Sequence, residues 1–470
     1  MLDKPSLLSR FGEIVGARHV IDDPADMERY LVEDRGLYRG RALCVVRPGS
    51  VDEVSRVVAL CDGTNTKIVP QGGNTGLVGG QTPHESGDEI VLSLARLTAI
   101  REVDPSSNTM IVEAGVTLLR VQEEAERVDR LFPLSLASEG SCTIGGNLST
   151  NAGGTAVLAY GNTRDLVLGL EVVLADGRVL ANLSKLKKDN TGYDLKHLFM
   201  GAEGTLGIIT AGVLKLFPRP RARETAFVGL ASPEAALSLL TLAQERAGQP
   251  VVTFELIPRI GIDYVLRHSL GSRDPLSGAH AWYVLMEFTS QAEHGLRDTA
   301  EALLGEALER GIVEDVALAA SLDQRNAFWR LREHLSEVQK HEGGSIKHDV
   351  SVPVAAVPAF IATATKAVES ALPGARVVAF GHLGDGNIHF NVSQPIGADK
   401  AAFLERWPEI NDVVHEIVAR YAGSISAEHG IGRLKRDLLP KVKDPVALDV
   451  MRTLKQTLDP KGLLNPGKVL

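Results

Sequence analysis

Apolar and polar positions along the first half of the chain alternate between strand and helix periods. Residues 43–47 read as a strand, 50–62 as a helix opened by Ser50 with Glu53 three positions on, and 67–70 as a second strand. The start, after a helix within residues 1–20, is therefore β-α-β. Short strands follow at 90–94, 99–103 and 109–113, then an amphipathic helix over 118–130. Residues 168–174 and 178–180 flank Ala175-Asp176-Gly177 as a hairpin, and 208–216 forms a further strand. At Phe217-Pro218-Arg219-Pro220-Arg221 the pattern breaks, which predicts a linker. Beyond it come a strand at 225–230, a helix at 233–247, strands at 251–257 and 282–288, a helix at 295–310 and a strand at 312–316. That order, β-α-β-β-α-β, is a ferredoxin-like layout. A long helix over 322–340, a hairpin near residue 385, a helix over 403–421 and a basic tail rich in Pro and Gly complete the chain.

Composition narrows the function classes. At 470 residues and 50.3 kDa the chain has room for two or three cores, so a multi-domain enzyme is the expectation. Asp and Glu total 59 against 50 Lys and Arg, a formal charge of -9 without a long basic run, and nothing favours nucleic acid. No segment approaches the roughly eighteen uninterrupted apolar residues of a membrane span. Cys44, Cys61 and Cys142 have no metal spacing, which points to a reducing compartment. The first twenty residues lack a signal-peptide core, so the cytosol is the expected address, or the mitochondrial matrix for a processed eukaryotic chain.

Glycine changes the picture more. Directly behind the strand at 67–70 comes Gln71-Gly72-Gly73-Asn74-Thr75-Gly76-Leu77-Val78-Gly79-Gly80, with five glycines in the nine residues from Gly72. Such a loop can curl its backbone N–H groups around phosphate oxygens, whereas a mere turn needs only one or two glycines. It is not the nicotinamide fingerprint, because the G-x-G-x-x-G order opening a helix is missing. Gly201-Ala202-Glu203-Gly204-Thr205-Leu206-Gly207 leads into the strand that includes Ile208, where that fingerprint would need a helix. A second small-residue stretch runs Ser138-Glu139-Gly140-Ser141-Cys142-Thr143-Ile144-Gly145-Gly146-Asn147, then Thr150-Asn151-Ala152-Gly153-Gly154. Small and hydroxylic side chains there let a flat ring system lie against backbone.

The hairpin carries the candidate chemistry. In Gly381-His382-Leu383-Gly384-Asp385-Gly386-Asn387-Ile388-His389-Phe390-Asn391-Val392 an apolar run enters and leaves a six-residue loop. Antiparallel pairing would bring His382 and His389 together, with Asn391 on the same face as His389. Two imidazoles and an amide suit a divalent metal with an open position, although histidines at a turn also serve simply to hydrogen-bond the loop. What favours the metal is Ala427-Glu428-His429-Gly430-Ile431-Gly432, where Glu428 offers an anionic ligand and His429 remains available as a base.

The loop at 70–80, the segments at 140–154 and 190–194, and Gly204 to Gly207 resemble the FAD-binding domain of the vanillyl-alcohol oxidase and p-cresol methylhydroxylase type. The hairpin, Glu428-His429 and the ending Leu458-Asp459-Pro460-Lys461-Gly462-Leu463-Leu464-Asn465-Pro466-Gly467-Lys468 resemble the C-terminal half of FAD-linked 2-hydroxy-acid dehydrogenases. Within that family the nearest likeness is to the D-2-hydroxyglutarate branch, with D-lactate dehydrogenases and glycolate oxidase flavin subunits as relatives.

The resemblance implies an α+β fold in three parts. These are a PCMH-type FAD-binding domain over 1–217, a ferredoxin-like substrate (cap) domain with the metal hairpin over 218–425, and a C-terminal helical return over 426–470 packing back on the FAD domain. It places FAD against Pro70, Gln71, Gly72, Gly73, Asn74, Thr75, Gly76, Leu77 and Gly80, against Ser138, Glu139, Gly140, Cys142, Thr143, Gly145, Gly146, Asn147, Asn151, Gly153 and Gly154, and against Glu203, Gly204, Gly207, Ile208 and Asn465. Asn74 stands where some members carry a tethering histidine, so the flavin is expected to be non-covalent.

His382, His389 and Glu428 fall on the family's metal ligands, zinc as a rule, and His429 on its base. Arg332, Ser336, Lys347, Asn391 and His429 fall on substrate-binding positions, with Ser336 replacing an expected threonine. For most Arg and Lys a surface salt bridge is the ordinary role, so Arg332 and Lys347 rest on the resemblance.

Two cations beside a metal suit a dicarboxylate, since lactate or glycolate would leave one charge unpaired. D-malate, D-lactate or glycolate oxidation and a metal-free flavin oxidase are the alternatives, as is a module without turnover. The chain carries no second redox motif, so electrons are expected to leave to a separate acceptor; the resemblance implies an electron-transfer flavoprotein or a quinone, with O₂ as the alternative. The resemblance also allows a homodimer.

Overall fold

The computed structural model describes residues 3–33, 35–246 and 251–470. They divide into two units: the described residues up to Gly154 with Gly161–Arg219 and Glu428–Leu470, and Thr155–Tyr160 with Pro220–Ala427.

The first unit starts from β1 (Val20–Ile21), β2 (Val45–Val46), β3 (Lys67–Gln71) and β4 (Glu89–Ser93), ordered β1-β2-β4-β3. β2, β4 and β3 are mutually parallel, as the crossover through the helix Val51–Thr64 requires. Ser50 caps that helix by accepting from the Glu53 amide at 3.2 Å, and Asn65 ends it in the left-handed conformation. A second sheet comprises β5 (Ile100–Asp104), β6 (Thr109–Glu113), β8 (Val167–Val173), β9 (Val179–Asn182) and β10 (Ile208–Lys215), in the order β5-β6-β10-β8-β9.

The segment from Glu428 to Leu470 belongs to this unit by hydrogen bonding. The Ile68 amide donates to the Leu463 carbonyl at 2.8 Å, and the Asn465 amide donates to the Ile68 carbonyl at 2.7 Å, which extends the edge at β3. Leu464 is fully buried in the same core as Phe11, Val54, Ile68 and Ile90.

Three expectations are corrected here. The strand read over 43–47 is only Val45–Val46. The helix from Leu118 stops at Arg127, because Asp129 turns left-handed (φ 57) to start β7 (Arg130–Leu131). Phe217 and Pro218, read as linker, form β11 (Phe217–Pro218) paired with β7, since an edge strand tolerates a proline.

In the second unit β12 (Ala222–Leu230), β13 (Val251–Pro258), β14 (Trp282–Ser290) and β15 (Asp315–Leu318) alternate with the helices Pro233–Arg246 and Leu296–Glu309 as the ferredoxin-like pattern predicts. Ala247, assigned to the first of those helices, lies outside the described residues. The sheet does not end there. β16 (Ser345–Ser351), β17 (Arg376–His382) and β18 (Asn387–Ser393) extend it to seven strands ordered β15-β12-β14-β13-β17-β18-β16.

The sequence pattern missed β16 and the helices Arg259–His268 and Val357–Ala371. It also misjudged continuity. The helix over 322–340 breaks at His334 into Leu322–Glu333, Leu335–Val338 and a 3-10 turn Gln339–Glu342; the His334 ring is tied to Ser269 Oγ at 2.7 Å. The helix over 403–421 is two, Lys400–Glu405 and Trp407–Arg420, because Pro408 lacks an amide hydrogen and can sit only in a first turn. His382 pairs with Asn387, so the hairpin loop is residues 383–386 rather than six residues. Among the described residues no helix is long and apolar enough to cross a membrane.

Candidate active site

The first unit contains a cavity of about 1050 Å³ walled by both glycine-rich segments. Its lining includes Pro70 through Leu77, Gly80, Ser138, Cys142, Thr143, Gly145, Gly146, Asn147, Gly153, Glu203 and Gly204, and also Glu428 and His429.

The glycines serve the walls as well as an occupant. A Cβ on Gly73 would lie 2.0 Å from the Ser141 carbonyl oxygen, and one on Gly72 2.3 Å from Thr143 Oγ1. The first loop thus packs directly on the second. Asn74 is left-handed (φ 57), and its Nδ2 donates to the carbonyls of Arg29 and Val32 at 3.0 and 2.9 Å. Cys142 is buried, with Asn147 Nδ2 3.7 Å from its Sγ.

Seven residues expected to touch the flavin lie behind the lining. Asn465 donates from Nδ2 to the Gly80 and Glu203 carbonyls at 2.9 and 2.8 Å, clamping two lining loops together. Asn151 ends the helix Ile144–Thr150 in a left-handed conformation, and its Oδ1 accepts from the Arg164 amide. Glu139 accepts from Gln122, and a side chain on Gly140 would meet open space. Gly207 admits Val172 and Phe199, Gly154 admits the Ser135 carbonyl, and Ile208 is a core residue of β10.

Glu203 organises the turn after His429. Its carboxylate accepts from the Ile431 and Gly432 amides at 2.7 and 2.8 Å. Burial pushes its pKa up while those two amides pull it down. Gly430 (φ 81) and Gly432 (φ 50) take left-handed geometry, and a Cβ on Gly430 would strike Glu203 Oε1 at 2.7 Å.

Glu428 is seated just as closely, since a Cβ on Gly153 would lie 2.6 Å from its Oε1. Gly153→Ala is expected to push that carboxylate aside and lower turnover about 10-fold or more. Wild-type turnover in the variant would show that Glu428 has no need of this seat.

The second unit carries the other candidate residues on one face of four adjacent strands. Register places Glu255 of β13 opposite His382 of β17. It also places Phe380 opposite His389 of β18, His389 opposite Asp349 of β16, and Asn391 opposite Lys347. Cross-strand partners share a face, so His382, His389, Asn391, Lys347, Glu255 and Asp349 all point the same way. The His382 and His389 ring centroids are 6.1 Å apart.

Arg332 comes from the helix Leu322–Glu333; its Nε donates to Glu255 Oε2 at 2.5 Å, and its guanidinium carbon is 4.9 Å from the Phe380 ring centroid. Lys347 Nζ donates to the Ser336 carbonyl at 3.2 Å, and Asn391 Nδ2 to Gln339 Oε1 at 3.1 Å. Asp349 Oδ1 accepts from Asn387 Nδ2 at 3.0 Å and lies 3.8 Å from His389 Nδ1.

The sequence reading missed Glu255, Asp349 and Gln339. The available signal was a carboxylate inside the apolar run at 251–257, where every residue is buried.

The donor types on this face, two imidazoles and buried carboxylates, are those a divalent metal takes. The imidazoles are neighbours, and Glu255 Oε1, buried without a hydrogen bond, stands 3.3 Å from His382 Nε2. Nitrogen and carboxylate donors of this kind suit zinc and related first-row ions.

Comparison with known proteins bears on the whole chain. Residues 219–469 match the family model described as FAD linked oxidases, C-terminal domain, and residues 42–181 match an FAD binding domain. D-2-hydroxyglutarate dehydrogenase, mitochondrial, of Arabidopsis thaliana is 38% identical over 463 residues, covering 98% of this chain and 81% of that protein. D-2-hydroxyglutarate dehydrogenase of Xanthomonas citri is 36% identical, covering 99% and 97%. The Bos taurus mitochondrial protein of that name is 39% identical, covering 96% and 81%. Among solved structures, p-cresol methylhydroxylase with substrate bound is similar in fold at TM-score 0.77 and 16% identity, covering 99% of this chain and 96% of that one. Alkyldihydroxyacetonephosphate synthase is similar at TM-score 0.75 and 18% identity, covering 99% and 85%. With its cavity of paired glycine loops and its imidazole-bearing sheet face, the chain belongs to the FAD-linked oxidase family, in the group of the D-2-hydroxyglutarate dehydrogenases.

Proposed function

We propose that this flavoenzyme oxidises D-2-hydroxyglutarate to 2-oxoglutarate with the help of a divalent metal, zinc by preference. The observation that carries the reading is one sheet face, on which Arg332 and Lys347 accompany the imidazole pair, with Glu255 holding Arg332 and Asp349 3.8 Å from His389. Bound FAD supplies the hydride acceptor, and the metal supplies Lewis acidity toward the 2-hydroxyl and its neighbouring carboxylate.

The chain's own residues do the rest. His382 and His389 hold the ion by imidazole nitrogen, and Glu428 keeps the role of anionic ligand that the resemblance gives it. His429 takes the hydroxyl proton. Arg332 offers a planar fork to carboxylate, Lys347 a mobile point charge, and Asn391 and Ser336 add hydrogen bonds. The non-covalent flavin lies in the cavity of the first unit, with Asn74 in the place of a tethering histidine. Its electrons leave to a separate acceptor, an electron-transfer flavoprotein or a quinone.

Charge decides among substrates. A dicarboxylate can meet Arg332 and Lys347 together, whereas lactate, with a single carboxylate, engages only one of them. Anaerobic flavin bleaching with a panel of D- and L-2-hydroxy acids tests this. D-2-hydroxyglutarate is expected to bleach the flavin fastest, with D-lactate at least ~10-fold slower at equal concentration. Faster bleaching by D-lactate would overturn the dicarboxylate assignment.

A further inference from the structure

We infer that Glu255 is a positioning residue that couples the substrate-carboxylate cation to the metal-binding imidazole. The inference deepens the proposed function and rests on it. Glu255 is fully buried in the middle of a strand whose every residue is buried, a position where a carboxylate is retained only if firmly paired. Its two oxygens face different groups. Oε2 accepts from Arg332 Nε at 2.5 Å, and Oε1 stands 3.3 Å from His382 Nε2.

Each contact constrains a group assigned to the reaction. Arg332 is gripped by its Nε side while Phe380 covers one face at 4.9 Å, and it makes no other hydrogen bond among the described residues. Its Nη1–Nη2 edge is therefore the edge left for an incoming carboxylate, held in one plane before substrate arrives. On the other side, a carboxylate 3.3 Å from one ring nitrogen of His382 favours this ring orientation electrostatically and raises the basicity of the ring. This is the arrangement by which outer carboxylates strengthen metal-ligating histidines. Register supports the coupling: Glu255 and His382 are direct cross-strand partners, so their side chains leave the same face of the sheet as neighbours.

The test uses FAD-loaded protein, stripped of metal and titrated with Zn²⁺ alone by calorimetry, followed by steady-state kinetics with D-2-hydroxyglutarate at saturating Zn²⁺. Glu255→Gln keeps the shape and removes the charge. It is expected to weaken Zn²⁺ binding about 10- to 100-fold and to raise KM, with kcat changed less than KM. Glu255→Asp retains the charge one methylene back and should shift the same two constants in the same direction by a smaller factor. A structural role alone would lower thermal stability without moving either constant.

Wild-type Zn²⁺ affinity and KM in the Gln variant, or in the Asp variant if the Gln variant does not fold, would overturn the inference. If wild-type protein binds no Zn²⁺, or if His382→Ala binds it as tightly as wild type, the metal reading itself fails and takes this inference with it. The wild-type and His382→Ala titrations tell that failure apart from a failure of Glu255 alone.

Discussion

His429→Ala is expected to slow flavin bleaching by D-2-hydroxyglutarate by about 10³-fold, in the middle of the range for loss of a general base. The flavin spectrum and metal content should not change. His429 lies on the wall of the cavity in the FAD-binding unit, so it is placed to meet a reacting group rather than to build the core. The turn behind it is held independently, by Glu203 on the Ile431 and Gly432 amides and by the Val78 carbonyl on the Arg433 and Leu434 amides. Truncating the imidazole therefore leaves the backbone in place. The informative measurement is the anaerobic reduction rate of wild type and variant side by side. Reduction within three-fold of wild type would remove His429 as the base.

Much of this arrangement was legible because ligand-facing backbone and sheet faces leave local signatures. The hairpin announced itself through the interrupted apolar run, and register puts His382 and His389 on one face. The glycine-rich segments read as cofactor cradle, and they line the cavity. What the sequence could not show was which glycines serve the packing of one loop on the other; Gly72 and Gly73 meet Thr143 and Ser141, some seventy positions away.

Glu255 was invisible for the same reason. Inside Val251–Pro258 it looked like a defect in an apolar strand, and its partner Arg332 lies 77 residues on. The strand Ser345–Ser351 was missed because Lys347, His348 and Asp349 break the expected alternation. Lys347 and Asp349 are polar where a core strand would be apolar because that face carries the candidate site. Local rules fail most where residues serve chemistry instead of packing.

Metal removal is the second change with a large expected effect. Chelation of the purified flavoprotein should slow anaerobic bleaching by about 10³-fold or more, equivalent to about 4 kcal/mol of barrier. Zn²⁺ added back should restore it. The argument is acid–base: an aliphatic hydroxyl is far too weak an acid for an imidazole to deprotonate readily, and the proton becomes accessible only when a cation polarises that oxygen. Arg332 and Lys347 do not substitute for the ion. Arg332 is held by Glu255 and Lys347 by the Ser336 carbonyl, and both are assigned to carboxylate rather than hydroxyl.

His382→Ala separates this from non-specific effects of the chelator. It should reproduce the slow bleaching, resist rescue by Zn²⁺, and keep its full flavin complement, because His382 belongs to the second unit and the flavin cradle to the first. If protein shown to be metal-free by elemental analysis bleaches at the wild-type rate, the imidazole pair contacts substrate directly and the enzyme is a metal-independent flavin dehydrogenase or oxidase.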